Sequence, residues 1–186
     1  MIGYAICASH CTHKAGLEVL ERIVKSGDEV VPILSERSLC TDTRFGRGDA
    51  LRLAAEEICG RKAVTEIREA ELFGAHTPLD YLVISPCTGN TLAKIALGIS
   101  DGVVSLAAKA HLRCDRPLLI ALSSNDAMSQ NLANIATLLM RKSVYFAPLY
   151  QDSPEGKPHS LVMMPDAVYD AYHAMKLGKQ LRPLFR

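Results

Sequence analysis

The run Tyr81-Leu82-Val83-Ile84 leads into the polar turn Ser85-Pro86-Cys87-Thr88-Gly89-Asn90-Thr91, and apolar residues then recur at Leu92, Ile95, Ala96 and Ile99. No other stretch constrains the chain as much. A short unbroken apolar run bounded by turn residues reads as a strand buried on both faces. The spacing after it reads as a helix. With the strand stopping at Pro86 and the chain bending through Gly89, Thr88, Asn90 and Thr91 gather at a strand's carboxyl end, beside a helix N-terminus. Open parallel sheets bind ligands at that place, and the free N–H groups of a helix start favour phosphate or a polarised carbonyl.

The strand–turn–helix alternation recurs along the chain. Strands are expected at Ile2 to Ala8, Glu29 to Leu34, Ala63 to Ile67, Arg116 to Leu122 and Val144 to Leu149. Helices are expected at His13 to Ser26, Asp49 to Cys59, within 81–110 after the central strand, at Met128 to Arg141 and at Pro165 to Gly178. Ser35 to Gly48 reads as a long polar loop, and loops of that length inside a compact domain are usually functional or disordered. Gln151 to Ser160, with Pro154, Gly156 and Pro158, reads as a mobile surface loop. The pattern implies one α/β domain over 1–186: a doubly wound, mostly parallel sheet flanked by helices on both faces.

Composition narrows the function classes. The 21 basic and 20 acidic side chains are dispersed and leave a formal charge of +1, so no basic block marks a nucleic-acid or anionic-membrane partner. No apolar run approaches the roughly 20 residues that a membrane helix needs. The six cysteines are too sparse for a secreted disulfide scaffold. With no leader-like segment at the start, a reducing cytoplasm is expected.

Three polar turns, Ser9 to Thr12, Thr88 to Thr91 and Ser123 to Asp126, follow strands, and Ser35 opens a fourth polar stretch. In a doubly wound sheet they share one side. Neither the dinucleotide glycine fingerprint nor a Walker loop is present. Short hydroxyl-bearing turns suit a monophosphate such as that of FMN, although the same residue types also serve as helix caps. Cys7, His10, Cys11 and His13 invite a zinc reading, but a strand position and a turn do not converge tetrahedrally, and a buried Cys with polar turn residues is the better account. Cys87 sits where a thiol could be activated, yet a small packed side chain fits the position better. His10 is a neutral-pH proton carrier at a strand end. Arg44, Lys94, Lys109 and Arg113 are candidate carboxylate ligands, Arg44 standing out in its glycine-flanked loop. Asp101 and Gly102 read as a helix-breaking turn.

Pro86 through Ala96, with Gly98-Ile99-Ser100-Asp101, resembles the flavoprotein family that contains the homo-oligomeric flavin-containing cysteine decarboxylases. Ser9 to Thr12, Thr43 to Gly46, Pro86 to Asn90, Ala107 to Ala110, Asn125 to Ala127, and Gln151-Asp152 with Lys157-Pro158 are similar, in order, to the dipicolinate synthase B subunits of that family. The resemblance implies a Rossmann-like flavoprotein fold and a place in the mother-cell cytoplasm of a spore-forming bacterium. It implies a two-subunit enzyme that oxidises dihydrodipicolinate, or its hydrated precursor, to dipicolinate during sporulation. NADP is expected on the partner, the dipicolinate synthase A subunit, and FMN on this chain, which is expected to form a homo-oligomer. The roles implied are flavin-phosphate contacts for Ser9 and Ser35, ring or substrate contacts for Thr88 and Asn90, and closure of the pocket by Ser123 and Ser124. Arg44 and Lys109 would hold the carboxylates of a small dicarboxylate substrate, Asn90 would orient its ring and His10 would take a proton. Decarboxylating relatives have a Pro-x-Met-Asn clamp where this chain reads Ser123-Ser124-Asn125-Asp126, and a His in a region that lacks one here (35–48). A flavin-dependent decarboxylase is therefore disfavoured. A non-catalytic structural partner of the NADP-binding subunit stays open as the alternative.

Overall fold

The computed structural model describes residues 1–74 and 76–186. Five strands, β1 (Ile2–Ile6), β2 (Val30–Leu34), β3 (Tyr81–Cys87), β4 (Leu118–Leu122) and β5 (Val144–Phe146), form a parallel sheet in the order β2-β1-β3-β4-β5. Their near-continuous apolar sequences suit burial on both faces. Ala5, Ile33, Leu82, Ile84 and Ile120 point to one core; Tyr4, Leu34, Val83, Leu119 and Ala121 point to the other.

Helices close both cores. On the first face lie α4 (Ile67–Glu71), α5 (Gly89–Leu97), α6 (Val103–Leu112) and α7 (Gln130–Leu139); on the second lie α1 (His13–Lys25), α3 (Gly48–Cys59) and α8 (Pro165–Lys176). The doubly wound architecture read from the sequence is therefore present. The strand order reverses between β1 and β3, and the crevice beyond their carboxyl ends is the ligand position of such sheets.

The close approach of α1 to β3 fixes one wall of that crevice. A Cβ at Gly16 would lie 2.9 Å from Pro86 Cδ and 3.0 Å from the Ser85 carbonyl oxygen, so only glycine lets the helix pass this near. The buried Tyr4 hydroxyl donates to the Gly16 carbonyl at 2.6 Å and pins the contact.

Several elements differ from expectation. β3 runs through Pro86 to Cys87 rather than stopping at the proline, with a register shift between Ile84 and Cys87. The long polar loop holds a short helix, α2 (Glu36–Cys40), which forms because Ser35 caps it by accepting from Ser38 N at 3.3 Å. The expected strand at 63–67 shrinks to Val64, which bridges the outer edge of β2 through bonds to Pro32 and Leu34, and α4 follows at once. The helical region after β3 is two helices, α5 ending at Gly98 in the left-handed conformation that favours glycine. Leu149–Tyr150 and Val162–Met163 form a two-stranded antiparallel hairpin, β6 and β7. The segment between them is cross-tied by Lys157 to Asp152 at 2.9 Å and by Gln151 Nε2 to the Pro158 carbonyl at 3.0 Å. Among the described residues no helix is long and apolar enough to cross a membrane.

Candidate functional site

Backbone bonds between strand ends assemble the site. Cys7 N donates to the Pro86 carbonyl at 3.0 Å, Ser35 N to the Ile6 carbonyl at 3.1 Å and Ser123 N to the Cys87 carbonyl at 2.8 Å. The turns after β1, β2, β3 and β4 are thus locked side by side. Two adjoining clefts open over them, with Ala8 and Thr88 lining both.

The first cleft, of about 460 Å³, is lined by Ser35, Glu36, Arg37, Thr88, Asn90, Thr91, Lys94 and Ser105. Thr88 caps α5, accepting from Thr91 N at 3.3 Å. Asn90 is exposed in the first turn of that helix. Glu36 reaches from α2 across the cleft and accepts from Val103 N, at the start of α6, at 2.8 Å. Lys94 is paired with Asp101 at 2.8 Å.

The second cleft, of about 970 Å³, is lined by Ser9, His10, Cys11, Phe45, Gly89, the turn 123–126, Asp152 and Lys157. Ser9 and Ser124 make no helix-capping bond here. Thr12 Oγ1 lies 3.0 Å from Ser9 Oγ, and the Ser124 hydroxyl donates to Asp126. Asn131 Nδ2 donates to both Asp126 oxygens at 2.9 Å. The Ser124 and Asn131 donors hold the Asp126 carboxyl below the usual carboxylate range, so it is ionised at neutral pH. Lys157 does the same for Asp152.

The candidate residues fall into three groups. Ser35, Thr88 and Asn90 meet in the first cleft, and Ser9, His10, Ser123 and Ser124 meet Thr88 again in the second. Arg44 lies outside both, its guanidinium 4.8 Å over the ring of Phe45 at the rim of the second. Lys109 faces neither. It lines a third cleft with Arg113, Arg141, Ile95 and Leu112, and its Nζ donates to Ser100 Oγ at 3.2 Å. Cys7 and Cys87 lie buried beneath the site; the neighbouring Cys7 thiol together with burial pushes the Cys87 thiol up, while the Cys7 thiol is lowered by Cys87. Full burial and a raised thiol suit Cys87 to packing, not nucleophilic attack. His10 and His13 rings stand edge to face at 5.0 Å, with His13 Nε2 tied to the Cys7 carbonyl at 2.9 Å. Burial lowers the His13 pKa. No group of three or more His, Cys, Asp or Glu among the described residues is placed to hold a metal ion.

A family model described as Flavoprotein matches residues 7–170. The dipicolinate synthase B subunit of Bacillus subtilis is 37% identical over 183 residues, covering 98% of this chain and 92% of that protein. The chain belongs to the flavoprotein family, among its dipicolinate synthase B subunits. The crystal structure of the dipicolinate synthase B subunit from Bacillus halodurans superposes with a TM-score of 0.90 at 37% identity, covering all of this flavoprotein and 95% of that chain. The FMN-dependent cysteine decarboxylase SpaF shares the fold alone, with a TM-score of 0.67 at 24% identity over 94% of this chain and 96% of its own.

The donor set of this flavoprotein fits a flavin mononucleotide. Hydroxyls at Ser9, Ser35, Thr88 and Ser105 and the amide start of α5 can hold a phosphate ester and a polyhydroxylated chain, and the two clefts meet at Ala8 and Thr88. Glu36 is the one acidic side chain among the described residues lining the first cleft, and its charge opposes a phosphate. Sequence reasoning missed Glu36, Phe45, Asp126, Asp152 and Lys157. All but Glu36 lie inside family-like segments, so their signal was present, but nothing in the sequence showed that Asp126 and Asp152 share a cleft.

Proposed function

We propose that this chain is the flavin-binding B subunit of a dipicolinate synthase, acting in the mother-cell cytoplasm of a spore-forming bacterium with an NADP-binding A subunit. The observation that carries the reading is the end-to-end match, 37% identity over 98% of the chain, to a protein of that name. The substrate is dihydrodipicolinate or its hydrated precursor, and aromatisation of the dihydropyridine ring removes two electrons and two protons. A bound FMN supplies a two-electron acceptor.

The chain's own residues do the rest. Ser35, Ser9 and Thr88 hold the phosphate and sugar-alcohol chain, while Ser123 and Ser124, the latter fixed by Asp126, close the far side. Asn90 orients the substrate ring, and His10 accepts a proton at the strand end. Arg44, at the rim over Phe45, takes a carboxylate through its forked guanidinium. Lys109 has no part in this scheme, because it opens onto a different cleft.

Reconstituted with the A subunit, the Arg44→Ala protein is expected to show a KM for the dicarboxylate about tenfold higher, near 1.4 kcal/mol, with kcat retained. An unchanged KM would remove Arg44 from the scheme. Full activity of the A subunit without this chain would favour the alternative, a non-catalytic structural partner.

A further inference from the structure

Glu36 occupies the position where an anion would be held best. It is the first residue of α2, a helix of only five residues, and its side chain leaves that helix to cross the first cleft. There Oε1 accepts from Val103 N at 2.8 Å, the first N–H of the ten-residue helix α6. Gly102 permits this. A Cβ there would stand 3.2 and 3.3 Å from the two carboxylate oxygens, so the bare backbone lets the carboxylate lie close against the helix start. Ser105 Oγ accepts from Gly102 N at 3.2 Å, so the preceding donor is also satisfied.

A helix N-terminus presents its N–H groups and the positive end of its dipole to one anion. A phosphate ester held by Ser35 and Thr88 would enter the same cleft, lined also by Ser105 and Lys94. Two anions a few ångströms apart repel even at surface dielectric. Of the two cations that line the cleft, Lys94 is already paired with Asp101, which leaves Arg37 to offset part of the repulsion.

The geometry points to Glu36 as a built-in competitor of the flavin phosphate: its carboxylate accepts from the first N–H of α6 in the cleft that a phosphate on Ser35 and Thr88 would enter, so the two anions contend for the same donors. This inference rests on the flavin reading and adds a selectivity to it. Glu36 lowers the affinity for a phosphorylated flavin and leaves that for a non-phosphorylated one unchanged.

The test is fluorescence titration of FMN and of riboflavin with the full chain, wild type and Glu36→Gln. Glutamine keeps an oxygen to accept from Val103 N, and an unchanged thermal midpoint checks the fold. FMN is expected to bind the variant about tenfold more tightly, with riboflavin changed less than about twofold, a difference near 1.4 kcal/mol in the FMN arm alone. An equal gain for both flavins, or an unchanged or weaker FMN affinity, overturns the competitor role while leaving the flavin reading intact. Binding of neither flavin by either protein contradicts both.

Discussion

Gly89→Ala is expected to lower flavin affinity at least about tenfold and to destabilise the fold by about 1–3 kcal/mol. The reason is local. A Cβ at Gly89 would collide with Ser124 Oγ and lie 2.6 Å from Asn131 Nδ2 and 2.8 Å from Asp126 Oδ1. These side-chain ends are bonded to one another, so none can yield alone. The added methyl must therefore push the 123–126 turn off the start of α5, where the two clefts share the Thr88 wall. Gly60→Ala is the matched control. Gly60 ends α3 at a φ of 64° with nothing within 4 Å of a Cβ, so alanine there brings strain but no collision. Urea unfolding and FMN titration of both variants check the account. Equal losses of flavin affinity would show that the contact at Gly89 is not what matters.

Acid should destabilise the protein well above the carboxylate range. His111 is fully buried on α6 and has one partner among the described residues, the Pro117 carbonyl, 2.8 Å from Nε2. A carbonyl only accepts, so Nε2 carries the proton and Nδ1 is left bare, without a partner among the described residues. Burial pushes the pKa down to about 4. In the unfolded chain it returns to about 6.5. Above that value the imidazole is neutral in both states and contributes no pH dependence. Between about 6.5 and 4 the unfolded chain gains a proton that the folded one refuses, so stability falls as pH falls. The loss is about 1.4 kcal/mol per pH unit, or ~2 kcal/mol between pH 7 and 5. His13, lowered by its own burial, acts in the same direction. Urea unfolding at the two pH values is the measurement. Wild type is expected to lose ~2 kcal/mol and His111→Gln distinctly less; equal losses would assign the acid sensitivity elsewhere.

The layer architecture was legible because buried parallel strands write themselves as unbroken apolar runs. Tyr81 to Ile84 and Leu118 to Leu122 are of that kind. Helix α2 was not, since five residues carry no periodicity and only the Ser35 cap marks it. β6 and β7, at two residues each, are too short for any pattern. Val64 alone pairs with β2, so a longer strand had no partner to extend along. The candidate residues at strand ends share the clefts because the sheet brings all carboxyl ends to one side. Lys109 shows the limit of that reasoning. It lies one turn beyond Ser105 on the same face of α6, about 6 Å further from the helix start. Ser105 borders the first cleft and the third, whereas Lys109 reaches only the third. Glu36 was hidden because its partner, Val103 N, is 67 residues away in sequence.

A flavin held in the strand-end clefts, as proposed, would take electrons directly from the dicarboxylate substrate. The complex of this chain with the A subunit, loaded with FMN, is mixed anaerobically with dihydrodipicolinate in the absence of NADP while the visible flavin band is followed. The account predicts that the band bleaches as dipicolinate forms, in equal amounts. A band that stays unchanged, with dipicolinate forming only once NADP is supplied, would contradict it.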